Sequence, residues 1–199
     1  MELVLLIDKG DFSKSPTWHK ILTDLRESID AVKWPPGSAK FVLFSDRGRG
    51  RGRGNGVTPI KTMFQSNLRE RGWQLERKID IATHKTPGKI DAVLRTNGKY
   101  FAVEWETGNI SSSHRALDKM AVGLLTNKLI GGVLVLPTRE MYSYLTDRVG
   151  NFPEIEPYLM LWKSLDVEEG ILGIIKVEHD GISIDVPRIP KGTDGRALA

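Results

Sequence analysis

The dipeptide Asn97-Gly98 constrains this chain more than any other feature. Two strand-like runs flank it, residues 90–96 and 99–106. Asn-Gly is the strongest short signal for a two-residue hairpin turn, because both residues tolerate positive φ. Such a turn fixes the register. Thr96 faces Lys99, and counting back pair by pair sets Asp91 opposite Glu104. Directly opposed residues carry Cβ atoms about 4.5–5.5 Å apart, and like charges there are destabilising. A divalent cation between them reverses the sign, since two opposed carboxylates can together reach ligand distances of roughly 2.0–2.1 Å around Mg²⁺. Glu106 lies two residues past Glu104 and shares its face, with Lys89 nominally opposite, while Trp105 points into the core. Three acids therefore converge. Two can hold a metal while the third orients or deprotonates an activated water. Alone, the E-x-E pattern also fits an ordinary solvated strand face; the register with Asp91 gives it chemical meaning.

The surrounding sequence supplies a scaffold for such a hairpin. Apolar residues make up 40% and charged residues 27% of the 199, a globular composition that suits a single domain. Helical spacing runs over residues 17–32 and ends at Pro35-Pro36. Residues 40–44 form a short strand. Thr58-Pro59 offers an N-cap and a first-turn proline for a helix to about Arg71, stopped by Gly72. A helix follows over residues 112–127, then a buried strand at 133–136, then helices predicted at 138–149 and 153–164. Residues 171–178 and 182–186 flank Asp180-Gly181, a second hairpin signal. Strands and helices alternate irregularly, so the class is α/β with a mixed central β-sheet flanked by helices.

Several chemistries are excluded or weakened. The chain has no cysteine, which removes disulfides, thiolate nucleophiles and cysteine-ligated zinc. Its histidines, at 19, 84, 114 and 179, never pair at a metal-ligand spacing. No apolar run spans a bilayer and the amino terminus lacks a signal-peptide pattern, so a cytoplasmic protein with no membrane partner is expected. A net charge of +4 and a pI near 9.3 lean toward a phosphate-rich partner without deciding it. The most conspicuous stretch is SDRGRGRGRGNG, at residues 45–56. Its glycines fall at every second position, which matches neither a dinucleotide-binding fingerprint nor a P-loop. Residues 47–56 read as a flexible, solvated loop that could add non-specific phosphate contacts; an RNA-binding module built on this tract is the reading from a different class. Residues 187–199 read as a mobile tail.

Asp91, twelve intervening residues and then Glu104-x-Glu106 resemble the metal-binding core of the PD-(D/E)xK nucleases, with glutamate in place of the usual lysine. The run Glu104-Trp105-Glu106-Thr107-Gly108-Asn109-Ile110-Ser111-Ser112-Ser113-His114-Arg115 closely resembles type II restriction endonucleases of the BamHI family. So do GVTPIK at 56–61, YLTDRV at 144–149, EIEPY at 154–158 and IPKGTDG at 189–195, in the same order along the chain. The resemblance implies a Mg²⁺-dependent homodimer that cuts both strands of palindromic DNA, with GGATCC the expected site and a cognate methyltransferase protecting the prokaryotic host. It implies Asp91, Glu104 and Glu76 as metal ligands helped by the Trp105 carbonyl, and Glu106 as the residue assisting the attacking water. It implies Asn109, Ser111, Arg115, Asp147 and Arg148 as readers of the major groove, Asp194 as a tail residue reaching the minor groove, and Lys61 as a further DNA contact. Those residue types suit base reading, because arginine matches guanine, asparagine matches adenine, and a carboxylate accepts from cytosine. Read without the resemblance, Asp147-Arg148 is also a plain surface ion pair, and Asn109 or Ser111 a plain helix cap. Another nuclease of the same core, acting in repair or at junctions, is the alternative within this class.

Overall fold

The computed structural model describes residues 1–48, 53–81, 88–146 and 149–191. Eight strands and six α-helices follow one another as β1 (Glu2–Lys9), α1 (Pro16–Asp30), β2 (Val42–Phe44), α2 (Thr58–Glu70), β3 (Gln74–Lys78), β4 (Lys89–Thr96), β5 (Lys99–Trp105), α3 (Ile110–Leu125), β6 (Leu129–Pro137), α4 (Arg139–Tyr142), α5 (Phe152–Ile155), α6 (Leu159–Lys163), β7 (Gly170–Val177) and β8 (Gly181–Ser183). Six strands form one sheet in the order β1-β7-β6-β5-β4-β3. The pairs β5–β6 and β6–β7 are parallel, while β1–β7, β4–β5 and β3–β4 are antiparallel. The mixed sheet expected from the sequence is therefore present.

Its two faces carry separate apolar layers. Trp18, Ile21 and Leu25 of α1 join Ile60, Phe64 and Leu68 of α2 over Phe101, Val103 and Trp105 of β5. Leu117, Met120 and Leu124 of α3 pack with Leu134 and Leu136 of β6, Ile174 of β7 and Trp162 of α6 on the other face. Every residue of β6 is buried, as expected of a strand covered on both sides. Burial at that scale, with about 1.5–3 kcal/mol for each large side chain removed from water, anchors the strands that carry the acids.

The hairpin forms in the expected register. Thr96 pairs with Lys99, Leu94 with Phe101 and Ala92 with Val103, around a turn in which Asn97 and Gly98 have φ of 50° and 81°. Beyond Ala92 the backbone ladder stops, and period two slips: Ile90 and Val93 both join the layer under α3, whereas Ala92 lies in the opposite layer. The slip falls at Asp91.

Other expectations shift once packing acts. Two strands, β1 and β3, add to those expected: β1 is the apolar run ELVLLIDK, and β3 is a mostly exposed edge strand, QLERK. Helix α2 starts at Thr58 with Val57 as its cap residue, so the Thr58 side chain caps nothing there. The helix predicted from Thr138 is a single turn, α4, although Thr138 does accept from the Met141 amide. The helix predicted over 153–164 breaks into α5, a 3₁₀ turn at Glu156–Tyr158 and α6, with Pro157 in the middle. Asp180-Gly181 does not close a hairpin: β8 leaves the main sheet and runs parallel to β2 instead. Asp180 accepts a hydrogen bond from the Phe41 amide, which draws β8 away.

Beside the same small sheet, the described parts of the two segments expected to be loose are packed. Asn55 is fully buried, its Oδ1 accepting from the Phe44 and Ile189 amides and its Nδ2 donating to the Phe44 and Tyr144 carbonyls. Its backbone pairs with Tyr144 and Thr146, and Gly48 donates to the Ser143 carbonyl. Ile189 is fully buried, Trp34 Nε1 donates to the Pro187 carbonyl, and Arg188 pairs with Asp46. The ends of the Arg-Gly tract and the start of the tail are thus packed together by one amide, which corrects the expectation of mobility for residues 187–191 and for Asn55 and Gly56. Residues 49–52 and 192–199 lie outside the described residues. Asn55→Ala should lower stability by about 1–3 kcal/mol for each backbone group it leaves without a partner. Urea unfolding at constant m-value measures this, and an unchanged midpoint would mean the amide ties nothing together.

Candidate active site

Asp91, Glu104 and Glu106 line one cleft of about 960 Å³, together with Lys61, Ser111, Arg115 and Lys119. Strands β4 and β5 deliver the acids, helix α2 reaches in from one side, and helix α3 forms the opposite wall.

Asp91 and Glu104 are locked to each other through the backbone. The Asp91 amide donates to Glu104 Oε2 at 3.2 Å, and the Trp105 amide donates to Asp91 Oδ2 at 2.8 Å. These crosswise bonds take over where the ladder ends, so the register continues in side-chain form. Each remaining carboxylate oxygen holds an ammonium. Lys61 Nζ lies 2.6 Å from Asp91 Oδ1, and Lys119 Nζ lies 2.5 Å from Glu104 Oε1. Both acids are close to fully buried, at 11% and 13% side-chain exposure. Burial, then the Asp91 charge, push the Glu104 carboxyl up, and Lys119 pulls against them. Gln65 donates to the Asp91 carbonyl at 3.0 Å and to Glu76 at 3.2 Å.

Glu106 is held by different means. Ser113 Oγ of α3 and the Gly108 amide each donate to it at 2.5 Å. Burial raises its carboxyl above the ordinary glutamate value, and those two hydrogen bonds work in the opposite direction. Gly150 sits against this arrangement: a Cβ there would lie 2.3 Å from Ser113 Oγ. Only glycine leaves room for the hydroxyl that fixes Glu106.

Glu76 stands at the rim, 45% exposed, with Lys61 and Lys89 each 3.9 Å from its carboxylate. Its φ is +51°, a left-handed backbone that costs a non-glycine residue of order 1–3 kcal/mol. The strain turns the carboxylate in β3 toward Lys61 and Gln65. Trp105 sends its ring into the core, with Phe64 at 4.8 Å between centroids, as the alternation requires.

The remaining sequence candidates divide three ways. Ser111 and Arg115, both exposed, line the same cleft as the acids. Asn109 is exposed and caps α3 by accepting from the Ser111 amide at 3.1 Å. Asp147, Arg148 and Asp194 lie outside the described residues. Lys61 meets Asp91 rather than standing clear of the acids. Sequence reading missed Lys119, Ser113, Gly108, Gly150 and Gln65. Nothing in the sequence around Lys119 points to its partner, Glu104.

Among the described residues, no group of three or more carboxylates, histidines or cysteines stands arranged to hold a metal ion. Ammonium and amide donors occupy Asp91 and Glu104. The donor set itself is hard oxygen throughout, opposed in pairs and already balanced by cations, which fits Mg²⁺ chemistry rather than that of softer ions.

The two raised carboxyls set a pH dependence. Their folded forms bind protons more tightly than the unfolded chain, whose glutamates titrate near 4.5. The stability they contribute is complete below that value and is lost as pH rises through the folded values. Without divalent cations, urea midpoints from about pH 4 to about pH 8 should fall more in the wild type than in E104Q or E106Q. Parallel profiles would remove these two residues as the cause.

Comparison with known proteins is consistent with this geometry. The profile of the family described as Restriction endonuclease BamHI matches residues 1–196. The type II restriction enzyme OkrAI of Oceanobacter kriegii is 47% identical over 98% of this chain and 96% of its own length. The type II restriction enzyme BamHI of Bacillus amyloliquefaciens is 32% identical over 92% of this chain and 85% of its own. Among solved structures, restriction endonuclease BglII complexed with a DNA 16-mer superposes with a TM-score of 0.62 at 12% identity, over 90% of this chain and 79% of that one. That likeness concerns the fold alone.

Proposed function

The chain belongs to the BamHI family of restriction endonucleases and is a type II restriction enzyme; from that premise we propose that it is a Mg²⁺-dependent homodimer cutting both strands of a palindromic site, GGATCC. The observation that carries the chemistry is the interlocked pair Asp91–Glu104 beside a buried, oriented Glu106.

Asp91 and Glu104 would hold the metal, with the Trp105 carbonyl and Glu76 completing its protein ligands. The chemistry such a metal would supply is charge neutralisation at the phosphodiester and activation of the attacking water. Glu106 takes or steers the proton of the attacking water. A carboxyl raised by burial is a better proton acceptor near neutrality than an exposed one, and Ser113 and Gly108 keep it aimed. Ser111 and Arg115 share the cleft with these acids, so base reading and cutting can use one docked duplex. Asn109 at the head of α3, Asp147 and Arg148 complete the major-groove set, Lys61 adds a phosphate contact, and Asp194 serves the minor groove.

A palindrome is read by two copies related by a two-fold axis. Val122 and Leu125 of α3 stay exposed, as do Tyr158, Met160 and Leu161 beside it. The two elements pack through His114 and Tyr158, with ring centroids 4.7 Å apart, so one apolar surface of both is available to a second copy. The enzyme would act in the cytoplasm of a prokaryote whose methyltransferase marks the same site. No helix among the described residues is long and apolar enough to cross a membrane.

Digestion of DNA of known sequence with Mg²⁺, followed by mapping of the ends, should give cuts at GGATCC alone. Glu104→Ala should bind the same duplex without cutting it; turnover at the wild-type rate would remove Glu104 from the site. Met160→Glu should shift sedimentation from dimer to monomer and abolish double-strand breaks, whereas a variant that stays dimeric would place the interface elsewhere.

A further inference from the structure

Every carboxylate oxygen of Asp91 and Glu104 already has a donor, and the donors are of two kinds. The Trp105 and Asp91 amides belong to the hairpin backbone and cannot leave. The Lys61 and Lys119 ammonium groups sit on flexible four-carbon stems from separate helices, α2 and α3. Both lysines line the cleft in which DNA would lie. Resting on the nuclease reading above, we propose that Lys61 and Lys119 are exchangeable counter-cations: they hold Asp91 and Glu104 in the DNA-free enzyme and transfer to DNA phosphates on docking, so that the duplex and the divalent cation enter the site cooperatively.

Charge balance forces the exchange to be coupled. Two opposed, buried carboxylates cannot lose their ammonium partners without another cation or a proton taking over, because uncompensated like charges would remain. A bare metal ion arriving first must compete with both lysines for the same oxygens. A phosphate arriving first offers each ammonium an alternative partner, and lysine is a compact, mobile charge suited to that move. Lys61 has a short path, being only 3.9 Å from Glu76 at the rim, and Lys119 also touches the Lys89 carbonyl at 3.2 Å. The same positions that keep the empty acids together thus keep stray metal out until DNA is present.

The experiment is Mg²⁺ titration calorimetry on the DNA-free full chain, comparing wild type with K61M, K119M and the charge-retaining K119R. Removing a competing ammonium should tighten Mg²⁺ binding roughly 5- to 150-fold, the usual range for coupled sites, with K119R close to wild type. Melting temperatures of the methionine variants should drop in EDTA and recover with Mg²⁺, a reversal that a purely structural lysine would not give. Binding of each methionine variant to a GGATCC duplex in EDTA should show a salt slope shallower by about 1 for the lost phosphate contact. Unchanged or weaker Mg²⁺ binding, or an unchanged salt slope, overturns the exchange. If the wild type binds no Mg²⁺ with or without duplex, the metal-dependent reading of the site fails as well; if it binds and the variants bind no tighter, only the exchange fails.

Discussion

The crosswise link between Asp91 and Glu104 is the constraint on which the rest of the molecule depends. Two carboxylates face each other at the point where a backbone ladder ends, and each accepts a backbone amide from the opposite strand. That arrangement is costly in isolation, since burial and the neighbouring Asp91 charge both oppose ionisation of Glu104. It persists because the strands carrying it are pinned by apolar layers on both faces, and because cations from two helices balance the charge. The core thus stabilises a polar arrangement that would not assemble by itself, a common relation between scaffold and active site.

Around that link, the cleft is closed by contacts from distant parts of the chain. Helix α3 contributes Ser113 to Glu106 and Lys119 to Glu104 while its apolar face covers β6. Helix α2 contributes Lys61 and Gln65 while Phe64 packs at a tilt against Trp105. Each helix therefore has one face that holds the sheet and one edge that serves the acids. The Asn55 amide plays a comparable part on the far side, joining the strand before the Arg-Gly tract, the Tyr144–Thr146 segment and the start of the tail. Residues that the resemblance assigns to DNA reading, Asp147 and Arg148, follow directly from that joint in the chain.

Reading the sequence located the acids well and their partners poorly. Asn97-Gly98 fixed the pairing down to Ala92–Val103, and extrapolation by one step placed Asp91 against Glu104. Glu76 came only from family resemblance; its strained φ and its contacts with Lys61 and Gln65 belong to no local pattern. Asp180-Gly181 looked like a hairpin of equal strength, yet β8 crossed to β2 once the Phe41 amide found Asp180. Turn chemistry proposes a hairpin, and long-range pairing decides whether its strands stay together.

What the sequence determined by itself was the local order: a two-residue turn, the register it sets as far as Ala92–Val103, and hence three acids brought to one cleft. These follow from backbone geometry within a few residues of each other, where no other part of the chain has a say. Only the tertiary structure decided which cations meet those acids, that Ser113 rather than solvent holds Glu106, that Gly150 must be small, and that Asn55 is buried among three segments. Those choices depend on how helices settle on a sheet, through many weak contacts summed over residues far apart in the chain. A lysine on a helix surface looks the same in sequence whether it faces water or a buried carboxylate.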